Sequence, residues 1–200
     1  MFLTFGLRDG TIILGKILRV VIFGKVTWRD KVRTAYIDRR EMGHLLAALT
    51  PPNRLALEIS MATGLRIGDV LNLKSDQLTQ RFFIRELKTG KTRRIYLPGE
   101  LLDRAKRMAG KIYVFENRLD YRKHRTRQAV FKDLKRVSKA FGVHDNIAPH
   151  SARKVYAVEA YKRSGGDLKK VQRLLNHESE AVTMIYAMSD QLCKRHKLVK

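Results

Sequence analysis

Residues 62–98 read ATGLRIGDVLNLKSDQLTQRFFIRELKTGKTRRIYLP, and the residue periodicity changes inside this stretch. Ahead of it, Leu55, Leu57 or Ala56, Ile59 and Met61 recur at helical spacing, and Gly64 then ends the helix. A short helix over RIGDVLNL follows. From Arg81 the pattern turns to strand: RFFIREL, a turn KTGK at 88–91, then TRRIYLP. Gly90 supplies the backbone freedom that a tight turn needs. A hairpin set among helices makes the expected fold α+β, mostly helical, with a small antiparallel β-sheet in the first half.

Working outward, Asp38 is placed to cap a helix over RREMGHLLAAL, which TPP at 50–52 ends. Residues 1 to about 33 are rich in β-branched residues and punctuated by Gly6, Gly10, Gly15 and Gly24, a pattern of short strands and turns without an assignable role. On the other side a helix begins near Glu100, and YVF at 113–115 reads as a short buried strand. RQAVFKDLKRVSKAF puts Val130, Phe131, Leu134, Val137 and Phe141 on one helical face. After APH the chain reads as helix: SARKVYAVEAYKRSG, DLKKVQRLL with an aspartate cap, and ESEAVTMIYAM. The expected division is a strand-like segment at 1–34, a main domain at 35–190 and a basic tail at 191–200.

Charge narrows the function. The chain carries 42 Lys+Arg against 19 Asp+Glu, a net +23, with a pI near 10.5. Such an excess repels itself unless a polyanion neutralises it. Nucleic acid is the first expectation, and an anionic membrane surface or ribosomal RNA the competing one. Residues 103–140 hold thirteen Lys/Arg against four acids, which marks a phosphate-facing surface containing Arg122, Lys123, Arg125 and Arg127. Lys91 and Arg93 extend it onto the hairpin.

The single cysteine, Cys193, cannot form an internal disulfide and fits a reducing compartment. No Cys/His pairs stand at metal-ligand spacing, so neither metal nor cofactor is expected. The apolar run TIILGKILRVVIF, 11–23, is broken by Lys16 and Arg19 and is too short to span a bilayer. It also lacks the small-residue cleavage site of a signal peptide. A cytoplasmic protein without membrane partners is expected.

Several residues stand out chemically. Arg66, at a helix start behind Gly64, offers a planar fork that matches two phosphate oxygens, or an ordinary ion pair with Asp69. Lys88, on the turn, could hand over a proton if neighbouring cations lower its pKa, or could simply be solvated. His150 and Arg153, three apart, project together from a helix start that itself favours an anion. In LLNHESEAVTMIYAMSD, 174–190, His177 stands nine positions ahead of Tyr186, which is either core filler or a reactive phenol.

Taken in order, Arg66, Lys88, His150-x-x-Arg153, His177 and Tyr186 resemble the catalytic domain of the tyrosine recombinases, the phage-integrase family. In that family an arginine sits in TGLR, a lysine lies on the hairpin, H-x-x-R opens a helix, and a histidine or tryptophan precedes the nucleophilic tyrosine. The likeness covers about residues 35 to 190. It implies site-specific cleavage and rejoining of double-stranded DNA through a 3′-phosphotyrosine on Tyr186. Arg66 and Arg153 would clamp the phosphate, Lys88 would protonate the leaving 5′ oxygen, His150 would assist proton transfer, and His177 would bond a phosphate oxygen. No metal is required. The resemblance also implies a protein that is monomeric when free and tetrameric on DNA.

Three departures qualify the likeness. LNH stands where the family usually has L-G-H, Ala152 fills the third position of H-x-L-R, and residues 1–33 are too few for the helical core-binding domain that closes around DNA. Two alternatives therefore stay open: a type IB topoisomerase-like enzyme, and a DNA-binding module inactive in recombination.

Overall fold

Asp38 and Glu41 start the first helix by satisfying each other's backbone. The Glu41 amide donates to Asp38 Oδ1 at 2.8 Å, and the Asp38 amide donates to Glu41 Oε2 at 3.4 Å. The computed structural model describes residues 34–176, all within the unit that begins at Thr34. In chain order these form α1 (Arg39–Ala47), α2 (Pro51–Thr63), α3 (Ile67–Leu71), a 3-10 turn (Ser75–Gln77), β1 (Arg81–Arg85) and β2 (Thr92–Tyr96). Four helices follow: α4 (Gly99–Met108), α5 (Arg127–Ala140), α6 (Pro149–Arg163) and α7 (Leu168–Leu175). The described chain is mostly helical with one small antiparallel sheet, as its residue pattern predicts. None of the described helices is long and apolar enough to cross a membrane.

The core is organised around α2. Leu55, Ala56, Leu57 and Ile59 lose all exposure, because α6, α3, α4, α1 and α5 all pack on this helix. The next central element is α6. Ala152 and Val155 join the main core, while Tyr156, Ala157 and Ala160 form a second cluster with Val171 and Leu175 of α7. Between them, these contacts fix where α2 ends and where α6 begins.

Three local expectations change. TPP does not merely separate two helices: Pro51 itself opens α2, since proline's fixed φ suits a first helical turn. YVF forms no strand; Tyr113 makes a single antiparallel bridge with Lys74, and Val114 and Phe115 are buried behind it. On α5, Val130, Leu134 and Val137 face the core as expected, but Phe131 and Phe141 are 40% and 55% exposed. The neighbouring helices cover a narrower stripe of α5 than its sequence offers.

The start of α2 is capped from a distance. Thr50 has no side-chain cap of its own, and Asp133 of α5 supplies one. Its Oδ2 accepts from the Thr50 amide (3.0 Å), Thr50 Oγ1 (2.8 Å) and Asn53 Nδ2 (2.7 Å), while Arg136 Nη2 donates to Oδ1 at 2.7 Å. Burial pushes the Asp133 carboxyl up, but the bonds from Asn53, Arg136 and Thr50 outweigh it and hold the pKa at about 2, below the usual 3.8. A lowered carboxylate pKa stabilises the fold above pH 3.8, and the benefit fades as pH falls towards 2. Asp133→Ala is expected to destabilise the protein by about 2–3 kcal/mol at pH 7. Thermal melts at several pH values should show the gap to the parent constant above about pH 4 and closing at lower pH.

Candidate active site

α2 ends at Gly64, whose φ of 69° lies in the left-handed region. A Cβ there would lie 2.5 Å from ring carbons of Tyr156, so α6 packs directly on the backbone at this turn. Ser60 Oγ donates to the Leu65 carbonyl at 2.7 Å and tightens it further. The chain then leaves in extended conformation through Arg66, the N-cap of α3.

Arg66 keeps 21% of its side chain exposed and is held from behind by Glu86, whose carboxylate has no exposure. Arg66 Nη1 donates to Glu86 Oε2 at 2.7 Å, and Thr89 Oγ1 donates to the same oxygen at 2.9 Å. One carboxylate thus joins the arginine to the turn that presents Lys88. Asp69 fastens the other flank: it is buried, and its Oδ1 accepts from the Leu87 amide at 2.9 Å. Asp69 therefore braces the turn, and bracing of Arg66 falls to Glu86. The Gly90 amide closes the turn on the Glu86 carbonyl at 2.8 Å, with Gly90 at a φ of 65°.

The two carboxyls respond oppositely to burial. Desolvation pushes Asp69 up, and one backbone bond does not offset it. Glu86 is also desolvated, but the bonds from Arg66 and Thr89 and the nearby positive charge of Arg153 bring it below the usual range. Glu86 is ionised at neutral pH, and the site holds it against Arg66.

Arg153 is buried in the first turns of α6. Its Nη1 donates to the Gly64 carbonyl at 2.6 Å, and its Nη2 donates to the Leu175 carbonyl. His150, one turn earlier, keeps an exposed edge. Partial withdrawal from water, then the charges of Arg153, Lys154, Arg66 and Lys88, lower its pKa from 6.5 to about 4. Those charges also show that Arg66, Lys88, His150 and Arg153 share one neighbourhood. At neutral pH this imidazole is uncharged. His177 and Tyr186 lie outside the described residues.

The expected DNA-contacting cations divide into two groups. Lys91, Arg122, Lys123 and Arg127 are exposed, and Lys123 pairs only loosely with Asp120 at 3.4 Å. Arg127 borders the site, since its Cδ is 3.5 Å from where a Cβ on Gly68 would sit. Arg93 and Arg125 instead turn inward. Arg93 pairs opposite Ile84 on the inner face, bonds the Thr63 carbonyl and lies 3.5 Å from Glu86. Arg125 donates from Nε to Asn53 Oδ1 at 2.6 Å. Sequence reasoning missed Glu86, although a signal existed: it continues the inward series Phe82, Ile84 with a charge where an apolar residue belongs.

Two outcomes follow. Glu86→Gln keeps the shape but leaves Arg66 and Arg93 without a counter-charge, and should destabilise by roughly 3 kcal/mol in denaturant titrations. His150 should titrate by NMR well below 6.5. Because its folded pKa is depressed, the unfolded chain binds the extra proton between pH 6.5 and about 4, so stability falls as pH drops through that window. His150→Gln should flatten that part of the stability profile.

Residues 35–192 match the phage integrase family. The tyrosine recombinase XerD of Listeria innocua serovar 6a is 33% identical over 143 residues, covering 65% of this chain and 48% of its own. A tyrosine recombinase of Thermosipho africanus is 30% identical over 162 residues, covering 76% of this chain and 56% of its own. The chain thus spans about half the length of these curated relatives. Among solved structures, a lambda integrase(75-356) dimer bound to a COC' core site superposes with a TM-score of 0.67 at 22% identity, over 88% of this chain and 70% of that one. The XerA recombinase superposes with a TM-score of 0.63 at 22% identity, over 82% of this chain and 63% of that one. These likenesses show a shared fold. With most of its length matched, from the helix that Asp38 caps to beyond Tyr186, the chain belongs to the phage integrase family.

Proposed function

We propose that this chain is a site-specific recombinase that cleaves and rejoins double-stranded DNA through a covalent 3′-phosphotyrosine. The observation that carries the reading is the convergence of Arg66, Lys88, a neutral His150 and a buried Arg153 around one braced turn. Three of these are cations, and the fourth can accept a proton. That set suits an oxygen nucleophile attacking a phosphodiester.

In this mechanism the Tyr186 oxygen attacks the scissile phosphorus as its proton passes to the uncharged His150. The bond from phosphorus to the 5′ oxygen breaks, and Lys88 protonates the departing oxygen. Arg66 and Arg153 stabilise the charge that builds on the nonbridging oxygens, a preorganised electrostatic role that Glu86 supports by fixing Arg66. His177 bonds a phosphate oxygen. Because the phosphodiester energy is kept in the tyrosyl ester, a 5′ hydroxyl can reverse the steps and reseal a strand. The exposed cations Lys91, Arg122, Lys123 and Arg127 track the duplex backbone. The enzyme works in the cytoplasm, monomeric when free and as four protomers on two duplexes.

Incubation with a nicked suicide duplex tests this reading. A denaturation-resistant protein–DNA adduct is expected with the parent and none with Tyr186→Phe, which lacks the attacking oxygen. An adduct that survives this substitution would refute the nucleophile assignment. Arg66→Ala should still bind DNA but cleave about 10²- to 10³-fold more slowly.

A further inference from the structure

The hairpin that carries Lys88 has a second face. Strand alternation sends Phe82, Ile84 and Ile95 inward and leaves Arg81, Phe83 and Arg85 of β1 outside with Thr92, Arg94 and Tyr96 of β2. The register sets Arg81 opposite Tyr96 and Phe83 opposite Arg94, so the two aromatics are diagonal neighbours with guanidiniums between them. Phe83 is 65% exposed and Tyr96 55%. Gln80 Nε2 donates to the Tyr96 hydroxyl at 3.4 Å, which steadies that ring by its edge and leaves its faces open. No carboxylate stands among these six residues, and among the described residues none of the three arginines forms an ion pair.

We infer that this outer face is a second nucleic-acid surface, one that stacks unpaired bases of a single strand. Three uncompensated guanidiniums select a polyanion. The rings then decide which kind. A duplex buries its base faces and shows phosphates, so it would draw on the arginines and leave Phe83 and Tyr96 idle. A single strand offers base faces to both rings and phosphates to the guanidiniums between them. Geometry agrees: diagonal neighbours across an antiparallel pair, as Phe83 and Tyr96 are, lie about 7–8 Å apart. That is roughly twice the 3.4 Å step of stacked bases. A ring therefore fits between two bases only where the nucleic acid is unpaired and extended. Sheet faces with exposed aromatics bind single strands in this way.

This surface lies on the opposite side of β1 from the inward series that ends at Glu86. It needs no cleavage chemistry, so it stands or falls separately from the tyrosine assignment.

The test uses the full chain and fluorescence anisotropy with three labelled probes of equal phosphate count: oligothymidylate, the same backbone without bases, and a duplex. The parent should bind oligothymidylate about tenfold or more tightly than the base-free strand. Phe83→Ala/Tyr96→Ala should abolish that preference while shifting duplex affinity by less than about threefold. Phe83→Trp should retain it, since a larger ring stacks as well. Three results would overturn the inference: a parent that does not distinguish the two single strands, a double variant that weakens duplex and single strand alike, or one that leaves both unchanged. A double variant that alters the sedimentation of the free protein and not its single-strand preference would assign the face to a second copy of the chain instead.

Discussion

A guanidinium withdrawn from water must find oxygen acceptors inside the protein, and Arg153 takes two backbone carbonyls, Gly64 and Leu175. These are not arbitrary partners. Gly64 is the left-handed end of α2, two residues before Arg66, and Leu175 is the last residue of α7, two residues before His177. One side chain on α6 thus ties together the two helix ends from which other site residues follow. The price of moving either end is an unsatisfied buried charge, so their separation is tightly constrained. Tyr156, one turn beyond Arg153, fills the space that only a glycine at 64 leaves open, and this locks α6 against the same turn.

Around that anchor, negative charge is distributed by position and not by number. Glu86 and Asp69 both reach the hairpin turn, yet only Glu86 accepts from two side chains and sits next to two arginines. It remains ionised and restrains Arg66. Asp69 receives one amide, and burial pushes its carboxyl up, so its part is to hold the turn through the Leu87 amide. The result is a positive patch whose arginines are held in place. Its charge is already oriented, and the neutral His150 does not add to the repulsion among the cations.

How far the sequence discloses this arrangement depends on whether each interaction is local. The Asp38 cap, the stop at Gly64, the KTGK turn and the H-x-x-R opening of α6 all lie within a few residues of their partners, and each was legible. The start of α2 is legible only in part: Pro51 is a local sign of it, but its cap comes from Asp133, 83 residues beyond Thr50. Phe131 and Phe141 looked like core since helical spacing reports which residues could be buried, while neighbouring helices decide which are. Arg93 and Arg125 looked like surface cations for the converse reason: nothing near them in sequence reveals the Thr63 carbonyl, Glu86 or Asn53 that draw them inward. Of the candidate site, Arg66, Lys88, His150 and Arg153 come together in the described residues, and His177 and Tyr186 fall outside them.

The inward placement of acids also bears on the chain's net +23. Asp69 and Glu86 are buried, Asp133 keeps 9% of its side chain exposed, and Glu58 keeps 17%. Each is engaged by a backbone amide, by Asn53 or by an arginine, so these charges contribute to cohesion and little to the outer field. Arg66, Arg93, Arg104 and Arg153 are drawn in beside these acids, so interior charge is largely balanced and the net positive charge is left to the exposed shell. Lys91, Arg122, Lys123, Arg127 and the three outward arginines of the hairpin face solvent with few counter-charges among the described residues. Self-repulsion in that shell opposes compaction, and a bound polyanion relieves it. Acids placed inside hold the arginines drawn in beside them, and the cations left outside form a surface whose repulsion only an external anion can relieve.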